Sequence, residues 1–444
     1  MFQLNASIAV MAGGRTPADG KRLGEQMSKK ISGCLTLLAF LGLTIFLVNC
    51  GSSSSRPAGL LYVLSQGENN VESYAIDLGN GKLSLTNKKA ESDTAPSSIL
   101  LDPSGKAAFV LNAGDKSNPS SLTSYTLNDD GSLSAPTPTA LTVQHAVAMA
   151  RDAAGTFLVV VSQGAIPLPP GSSPCPHPEP NTECPALTVF SIQSGSATLS
   201  QVGDPFSLDF VPTSVTTSVA GTYNNPKGGT VAGTLVHVTG NQDLVGTSDN
   251  TISEFAVQSS GAVVGPLFGS PYTTASAPTS VLAVKTTPTG GAGGLFVYVT
   301  NVTTNNVTVY QVCTVADGTN CTTDDIQNGK MISGGAGISV GLDPIAMTAD
   351  PTNQFLYVVN HTSSSVSGFR INPTTGALSA LNPSTVSTGS GPVGIAMHSS
   401  GKFLFVSNNS SSNVSAFNAD ITSGALSNAV TVTSSAQPAG LVTK

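Results

Sequence analysis

A short apolar strand pattern recurs seven times along this chain, and no other feature restricts the possible folds as strongly. Each copy is a run of four residues rich in Leu, Val, Tyr and Phe. Neighbouring copies lie about 48 residues apart, or further where the chain carries an insertion, which is typical of propeller blades; repeats of a β-solenoid are shorter and more uniform. The copies begin at Leu61, Ala108, Leu158, Leu235, Phe296, Leu356 and Leu404.

The residues around each copy complete a unit of four strands. A Pro-led strand such as 392–396 precedes most copies, an alternating strand such as 366–371 follows, and a glycine turn such as Gly376 opens the last short strand. Glycine supplies the positive φ that a hairpin turn needs. The copies themselves do not alternate, because stacked blades cover both of their faces. The pattern therefore predicts an all-β fold, in which residues 59–444 form a single seven-bladed β-propeller of four-stranded blades.

The two ends of the predicted propeller indicate how the ring closes. The first copy, at Leu61, has no Pro-led strand before it, whereas residues 437–442 form such a strand with nothing after it. We expect the C-terminal strand to join the first blade, because this pairing removes the open sheet edges.

The N-terminal residues have the pattern of a bacterial lipoprotein signal. Lys29 and Lys30 precede an uncharged apolar run, 31–48, which ends just before Cys50 and a serine-rich linker. We therefore expect a signal region over 1–49, with Met27 as a possible true start, and a lipidated Cys50 at the head of a flexible tether over 50–58. The alternative is an uncleaved transmembrane anchor, since the run is just long enough to span a bilayer. In either case we expect the chain to be exported to the cell envelope and to lie in the periplasm or at the outer membrane.

Four further cysteines occur as two close pairs. In an exported chain, paired cysteines indicate disulfides. We expect one disulfide between Cys175 and Cys184 and another between Cys313 and Cys321, each closing a local loop. Neither spacing matches a zinc knuckle, so no metal or cofactor is expected from them.

Charge and composition restrict the partners. The chain has a net charge of −7 and a pI near 5.1, and its lysines are scattered, which disfavours nucleic acid as a partner. The acidic residues Asp243, Asp249 and Glu254 do not have the spacing of an EF-hand calcium loop. The expected partners are the membrane, through the lipid anchor, and an envelope protein, small molecule or carbohydrate; the propeller itself is expected to be a monomer.

The repeat motifs resemble those of the seven-bladed β-propeller lactonase family and its relatives with YVTN-type repeats. The shared pattern is Leu-Tyr-Val-x-(Asn or Ser), then Val-x-x-(Tyr or Phe), Gly-x-Leu-Ser and Pro-x-x-Ile, clearest in 60–85 and 355–427. The family includes 6-phosphogluconolactonase-like and muconate-cyclase-like enzymes, and the resemblance implies His, Arg and acidic groups at the mouth of the channel. Members often carry His two residues after the inner-strand Pro. Here the equivalent positions hold Ser98, Ala148, Ser214, Ser280, Ala346, Gly394 and Gly440.

Few ionisable residues are predicted near the channel mouth, where propellers usually bind their ligands. His145 precedes the third inner strand and could act as a general base; Asp343 occupies the same place before the sixth. His361 follows in a polar loop on the same face. The alternatives are a loop His bonded to backbone and an Asp-Pro turn. His237 lies in a core strand, where a buried packing role is predicted.

The longest loop, 165–185, is predicted to project from the same face as His145. It contains His177 between Cys175 and Cys184, and a disulfide there would order the loop before it binds a partner. The alternative is a tolerated surface insertion. Because cations and histidines are scarce at the inner strands, the sequence favours a lipid-anchored module that binds a ligand or protein without catalysis, with His145, His177, Asp343 and His361 as the candidate binding residues. The alternative function is a lactonase that hydrolyses a lactone ring.

Overall fold

The computed structural model describes residues 59–444 apart from 116, 143, 165–183, 194, 226, 245–246, 268, 288–292, 314–328 and 336. Within these residues every regular element is a β-strand, and the strands form seven antiparallel sheets. The prediction of an all-β, seven-bladed propeller is confirmed. The signal region, Cys50, the tether, Cys175, His177 and Cys321 lie outside the described residues, so the predictions made for them stay predictions.

The first three blades contain the N-terminal strands. Blade 1 holds β1 (Leu60–Ser65), β2 (Asn70–Ile76) and β3 (Leu83–Glu91). Blade 2 holds β4 (Pro96–Leu101), β5 (Ala107–Asn112), β6 (Ser121–Thr126) and β7 (Thr137–Ala140). Blade 3 holds β8 (Ala146–Arg151), β9 (Phe157–Ser162), β10 (Ala186–Ile192) and an outer strand in two pieces, β11 (Leu199–Gln201) and β12 (Phe206–Ser207).

Blades 4 and 5 also have a divided outer strand, and blades 6 and 7 are regular. Blade 4 holds β13 (Phe210–Asn224), β14 (Thr230–Asp243), β15 (Ser248–Val257), β16 (Val263–Val264) and β17 (Tyr272–Thr273). Blade 5 holds β18 (Pro278–Lys285), β19 (Leu295–Asn301), β20 (Asn306–Val312), β21 (Met331–Ser333) and β22 (Ile338–Ser339). Blade 6 holds β23 (Pro344–Ala349), β24 (Phe355–Asn360), β25 (Ser365–Ile371) and β26 (Leu378–Ser387), and blade 7 holds β27 (Pro392–Met397), β28 (Phe403–Asn408), β29 (Asn413–Ala419) and β30 (Leu426–Thr433).

The last strand, β31 (Pro438–Thr443), closes the ring. It pairs antiparallel with β1, with Val442 opposite Tyr62, and so forms the inner strand of blade 1. The predicted closure is confirmed. Just before β31, Ser434 and Ser435 donate hydrogen bonds to the Glu72 carboxylate of β2, which is only 2% exposed. We call Glu72, Ser434 and Ser435 the closing clasp.

The apolar core lies between the blades. In the described part of the chain there are seven buried apolar clusters, and each combines side chains from two adjacent blades. A core strand such as β9 therefore contributes Val159 to one interface and Val160 to the next. This two-sided burial is why the repeated copies read as continuous apolar runs.

The inner hairpins are held by aspartates, as the sequence predicts. Asp102 accepts hydrogen bonds from the backbone N–H groups of Lys106 and Ala107, and Asp152 and Asp350 accept equivalent ones. These residues are therefore turn formers.

Blade 4 departs from the regular pattern. Its inner strand β13 has 15 residues and β14 has 14, whereas the corresponding strands of the other blades have six to eight. The β13–β14 register shifts between Thr217 and Ala220, so that Ser218 and Val219 together oppose Leu235. Such a β-bulge bends the strand and changes the direction of its side chains.

Two of the four cysteines of the predicted disulfides are described. Cys184 and Cys313 are buried, and each is disulfide-bonded. Since Cys175 and Cys321 lie outside the described residues, the two pairings stay predictions. Across the described ranges there is no apolar helix of membrane-spanning length.

Candidate functional site

A large cavity lies in the central channel. It encloses about 690 Å³ and is lined by the inner strands of blades 2 to 6. A volume of this size is typical of sites for small molecules. Ser98, Ser214 and Ser280 line it, at positions where the family resemblance implies His. These positions do face the channel, but here they carry hydroxyl groups instead of imidazoles.

Arg151 supplies a cation to the cavity wall. It is the last residue of β8 and is partly buried. Its Nε donates to the Leu101 carbonyl at 2.6 Å, and its Nη1 donates to the Asp152 carbonyl at 3.1 Å. Burial lowers the pKa of Arg151, against the raising effect of Asp152 and Asp102, but a guanidinium stays charged at neutral pH. No carboxylate of the described residues forms a salt bridge with it, which leaves N–H donors for a ligand.

A serine, a histidine and a glutamate form a continuous line across blade 4. Ser218, on β13, lines the cavity, and its Oγ lies 3.1 Å from Nε2 of His237 on β14. On the other side of the ring, His237 Nδ1 lies 3.3 Å from Oε1 of Glu254 on β15. The His237 and Glu254 side chains are both 0% exposed, so only Ser218 reaches the cavity.

The strand register explains how these three residues meet. His237 and Glu254 are direct cross-strand partners in the β14–β15 ladder, which places their side chains next to each other on one face. Thr216 is the partner of His237 on β13, and Ser218, two residues further, lies on the same face. The bulge at Ser218 and Val219 then adjusts the position of Ser218 relative to the imidazole.

The electrostatics of the pair are those of a buried carboxyl next to an imidazole. Burial raises the pKa of Glu254, and the neighbouring His237 opposes this shift. The Tyr272 hydroxyl also interacts with the Glu254 carboxyl and accepts the Met331 backbone N–H at 3.1 Å. Among the described residues, however, neither the carboxyl oxygens of Glu254 nor Nδ1 of His237 makes a hydrogen bond of good geometry.

His145 does not line the central cavity. It lies at the start of blade 3 with φ of 54°, and its Nδ1 lies 2.6 Å from the Gly164 carbonyl. It borders a separate cleft of about 460 Å³ with Asp115 and Gln144. This is the arrangement that the alternative of a backbone-bonded loop His predicts.

Asp343 and His361 are brought together, also outside the central cavity. His361 Nδ1 lies 3.0 Å from Asp343 Oδ2, and both side chains are partly exposed. The Asp343 carbonyl also accepts the His361 backbone N–H at 2.8 Å, and Thr362 donates to the same carboxylate. The pair stabilises the loop before the inner strand of blade 6.

The sequence pattern does not single out Ser218, Arg151 or Glu254 as site residues. Ser218 and Arg151 lie in strand segments without a recognisable motif, and Glu254 has no motif spacing with its acidic neighbours. The one available signal was His237, an imidazole in a strand position that the other copies fill with Val or Tyr. Its burial is as predicted, but its partners are a serine and a glutamate. Among the described residues no group of three or more His, Cys, Asp or Glu could hold a metal ion.

Solved structures with a similar fold include a lactonase and a lactonase candidate. A periplasmic gluconolactonase of Pseudomonas aeruginosa shares 18% identity, with a TM-score of 0.61, over 87% of this chain and 98% of that one. A candidate 6-phosphogluconolactonase of Bacteroides fragilis shares 13% identity, with a TM-score of 0.61, over 88% and 99%. At such identities the likeness shows the fold. No curated protein sequence matches the chain.

The sequence itself matches one family over its C-terminal part. Residues 286–442 match the family described as Lactonase, 7-bladed beta-propeller. This match supports the lactonase-like alternative and gives no support to a binding module without catalysis, which the sequence favoured because the first residues of the inner strands lack His and Arg. Residues 286–442 thus carry the pattern of the seven-bladed β-propeller lactonase family, and the described chain has that family's fold.

Proposed function

We propose that this protein is an exported hydrolase that opens a lactone ring bound in the central channel. The observation that carries the proposal is the channel cavity, whose largely apolar wall also carries several serine and threonine residues and Arg151. Hydroxyl groups suit a polyhydroxylated ring such as a sugar lactone. A cation on the wall stabilises the negative charge that develops on the carbonyl oxygen during ring opening, and it also attracts the carboxylate product.

The cellular location is part of the same proposal. The lipoprotein pattern around Cys50 supports anchoring to the envelope, and the Pseudomonas aeruginosa protein of the same fold is described as periplasmic. A lactonase in this compartment would act on lactones that form or arrive outside the cytoplasm. Labelling of cells with a fatty-acid probe, compared between the parent chain and Cys50→Ala, tests the anchor; equal labelling of both contradicts it.

Hydrolysis of a panel of lactones, beginning with glucono-1,5-lactone, tests the activity. Acid release is followed by titration at constant pH for the purified protein. Arg151→Gln is expected to raise KM or lower kcat/KM by about tenfold or more, because a charge-assisted hydrogen bond is lost.

Arg370→Gln is the matched control. Arg370 lies over the Phe355 ring at 4.6 Å and donates to the Thr422 carbonyl at 2.8 Å, and it is not among the residues that line the cavity. Its replacement is expected to leave lactone hydrolysis unchanged. Absence of hydrolysis across the panel, or equal effects of both replacements, would contradict the proposed function.

A further inference from the structure

We propose that Ser218, His237 and Glu254 form a catalytic relay in which Ser218 attacks the carbonyl carbon of an ester bound in the channel cavity. The inference rests on the proposed function for its substrate, since a lactone is a cyclic ester. It adds the nucleophile, the general base and the group that orients the base.

The three side chains are arranged so that the imidazole lies between the hydroxyl and the carboxyl. The Ser218 hydroxyl faces Nε2 of His237, and the Glu254 carboxyl faces Nδ1 of the same ring. In this order the imidazole can take the serine proton at Nε2, while the carboxylate holds the ring in the tautomer that carries its proton at Nδ1. The Ser218–His237 contact of 3.1 Å is a hydrogen bond, whereas the His237–Glu254 contact of 3.3 Å lacks hydrogen-bond geometry among the described residues. The relay requires this second contact to realign when substrate binds, as catalytic hydrogen bonds often do.

Only one of the three residues is accessible from the cavity. Ser218 lines the cavity, whereas His237 and Glu254 are fully buried behind it. A substrate in the channel therefore meets the serine oxygen first, and bulk water does not reach the back of the relay. Tyr272 also interacts electrostatically with Glu254.

The positions equivalent to His237 and Glu254 carry other residues in most of the remaining blades. A buried pair of ionisable side chains costs desolvation energy that apolar or hydroxyl residues of similar size avoid. In five of the other six blades this cross-strand pair consists of such residues, and the blade still forms. The pairs are Val110 with Thr123, Val160 with Thr188, Tyr298 with Val309, Val358 with Ser367 and Val406 with Ser415.

The β-bulge of β13 lies at Ser218 itself. Ser218 and Val219 occupy the place of one residue opposite Leu235, so the strand is distorted at the proposed nucleophile. The Tyr223 hydroxyl donates to the Val219 carbonyl and fixes this distortion. Bulges are frequent next to active sites because they redirect a side chain.

The chemistry balances in two steps. Ser218 Oγ forms a bond to the carbonyl carbon and its proton passes to His237 Nε2; the ring C–O bond then breaks, and the proton passes to the departing oxygen, which becomes a hydroxyl. Water next attacks the ester on Ser218 and gives a proton to Nε2. The Ser218–acyl bond breaks, the proton returns to Oγ, and a hydroxy acid leaves. The net reaction is lactone plus water to hydroxy acid.

A fluorophosphonate probe tests the relay without needing the natural substrate. The purified full chain is treated with the probe, digested, and analysed by mass spectrometry for an adduct on the peptide that contains Ser218. Ser218→Ala should abolish the adduct and lower ester or lactone turnover by about a thousandfold or more. Glu254→Gln, which keeps the side-chain shape, should lower turnover by about a hundredfold or more.

Ser191→Ala is the matched control, because the Ser191 hydroxyl donates to the Ser200 carbonyl at 3.2 Å and Ser191 is not among the residues that line the cavity. It should keep both the adduct and the turnover. Circular dichroism and urea unfolding show whether each variant folds. If a variant unfolds, Ser218→Cys provides a second test: its thiol should react with iodoacetamide faster than free glutathione does, because His237 removes the proton.

The outcomes separate this inference from the proposed function. An adduct on Ser218 together with hydrolysis of simple esters, but of no lactone, supports the relay and contradicts the lactonase. Lactone hydrolysis that Ser218→Ala leaves intact supports the lactonase and overturns the relay. Absence of an adduct on Ser218 in the folded protein also overturns the relay.

Discussion

Two buried carboxyl groups occupy equivalent positions in this propeller, but their pKa values shift in opposite directions. Glu72 faces Val63 and Glu254 faces His237 across the same strand pair of blades 1 and 4. Burial acts to raise the pKa of Glu72, yet the backbone N–H and hydroxyl of Ser435 and further hydroxyl donors leave it below its ordinary value. Burial raises the pKa of Glu254, which has fewer donors. Hydrogen bonds to the carboxylate thus outweigh the effect of burial at Glu72 but not at Glu254.

Glu72→Gln should destabilise the propeller through the closing clasp. The loss is expected to be about 2 kcal/mol near neutral pH, because hydrogen bonds to a charged acceptor become weaker ones. Since the folded-state pKa of Glu72 lies below its unfolded value, its contribution is complete above the ordinary glutamate pKa and is lost as the pH falls through the lowered one. Urea unfolding at several pH values measures this.

Glu68→Gln is the control for that prediction. Glu68 contacts Lys89 and Ser435 but is exposed to solvent, so its removal should change the urea midpoint much less. A parent protein and Glu72→Gln variant whose midpoints differ equally at acid and neutral pH would contradict the role given to the Glu72 charge.

At the scale of the strand and turn, one contact recurs between neighbouring blades. A tyrosine in a core strand donates its hydroxyl to the carbonyl of a glycine in the outer hairpin of the next blade, as Tyr298 does to Gly376 and Tyr357 does to Gly424. The glycine has positive φ and packs against the phenylalanine two residues before that tyrosine in the same core strand. The Gly-x-Leu-Ser motif is thus a docking element between blades as well as a turn.

Gly424→Ala should be more destabilising than an alanine at an unpacked glycine of similar φ. At Gly424, φ is +76° and an added Cβ would overlap the Phe355 ring. The expected loss is about 2 to 4 kcal/mol, from left-handed backbone strain together with a steric clash. Gly203, with φ of +66°, has no atom within 4 Å of such a Cβ, so Gly203→Ala should show only the backbone cost. Equal urea midpoints for the two variants would contradict the packing role.

At the scale of the whole molecule, stability depends on closing the ring. β31 contacts blades 1, 2 and 7, since it pairs with β1 while Ala439 packs with blade 2 and Leu441 packs with blade 7. Without it, β1 becomes an open sheet edge, and such edges promote association between chains.

Deletion of residues 438–444 should therefore weaken the fold and cause self-association. The expected result is a lower urea midpoint and a shift to larger species in size-exclusion chromatography, compared with the full chain at the same concentration. A monodisperse truncated protein with an unchanged midpoint would show that the C-terminal strand does not hold the ring.

The sequence by itself determined the number of blades, the order of their strands and the closure by the C-terminus. These properties depend on local patterns: a four-residue core strand, a proline before the inner strand and a glycine at the outer turn, each repeated at nearly constant spacing. The unequal ends of the repeat, at Leu61 and at 437–442, then leave one way to complete the first blade.

Only the tertiary structure decided which polar residues meet. Ser218, His237 and Glu254 lie on three different strands, and their contact depends on the β13–β14–β15 register and on a bulge that no turn signal marks. Arg151 ends a strand like any other, and it becomes part of a site only because five inner strands enclose the channel. Strand patterns report which residues are buried, but the pairing register and the stacking of blades determine what each buried residue touches.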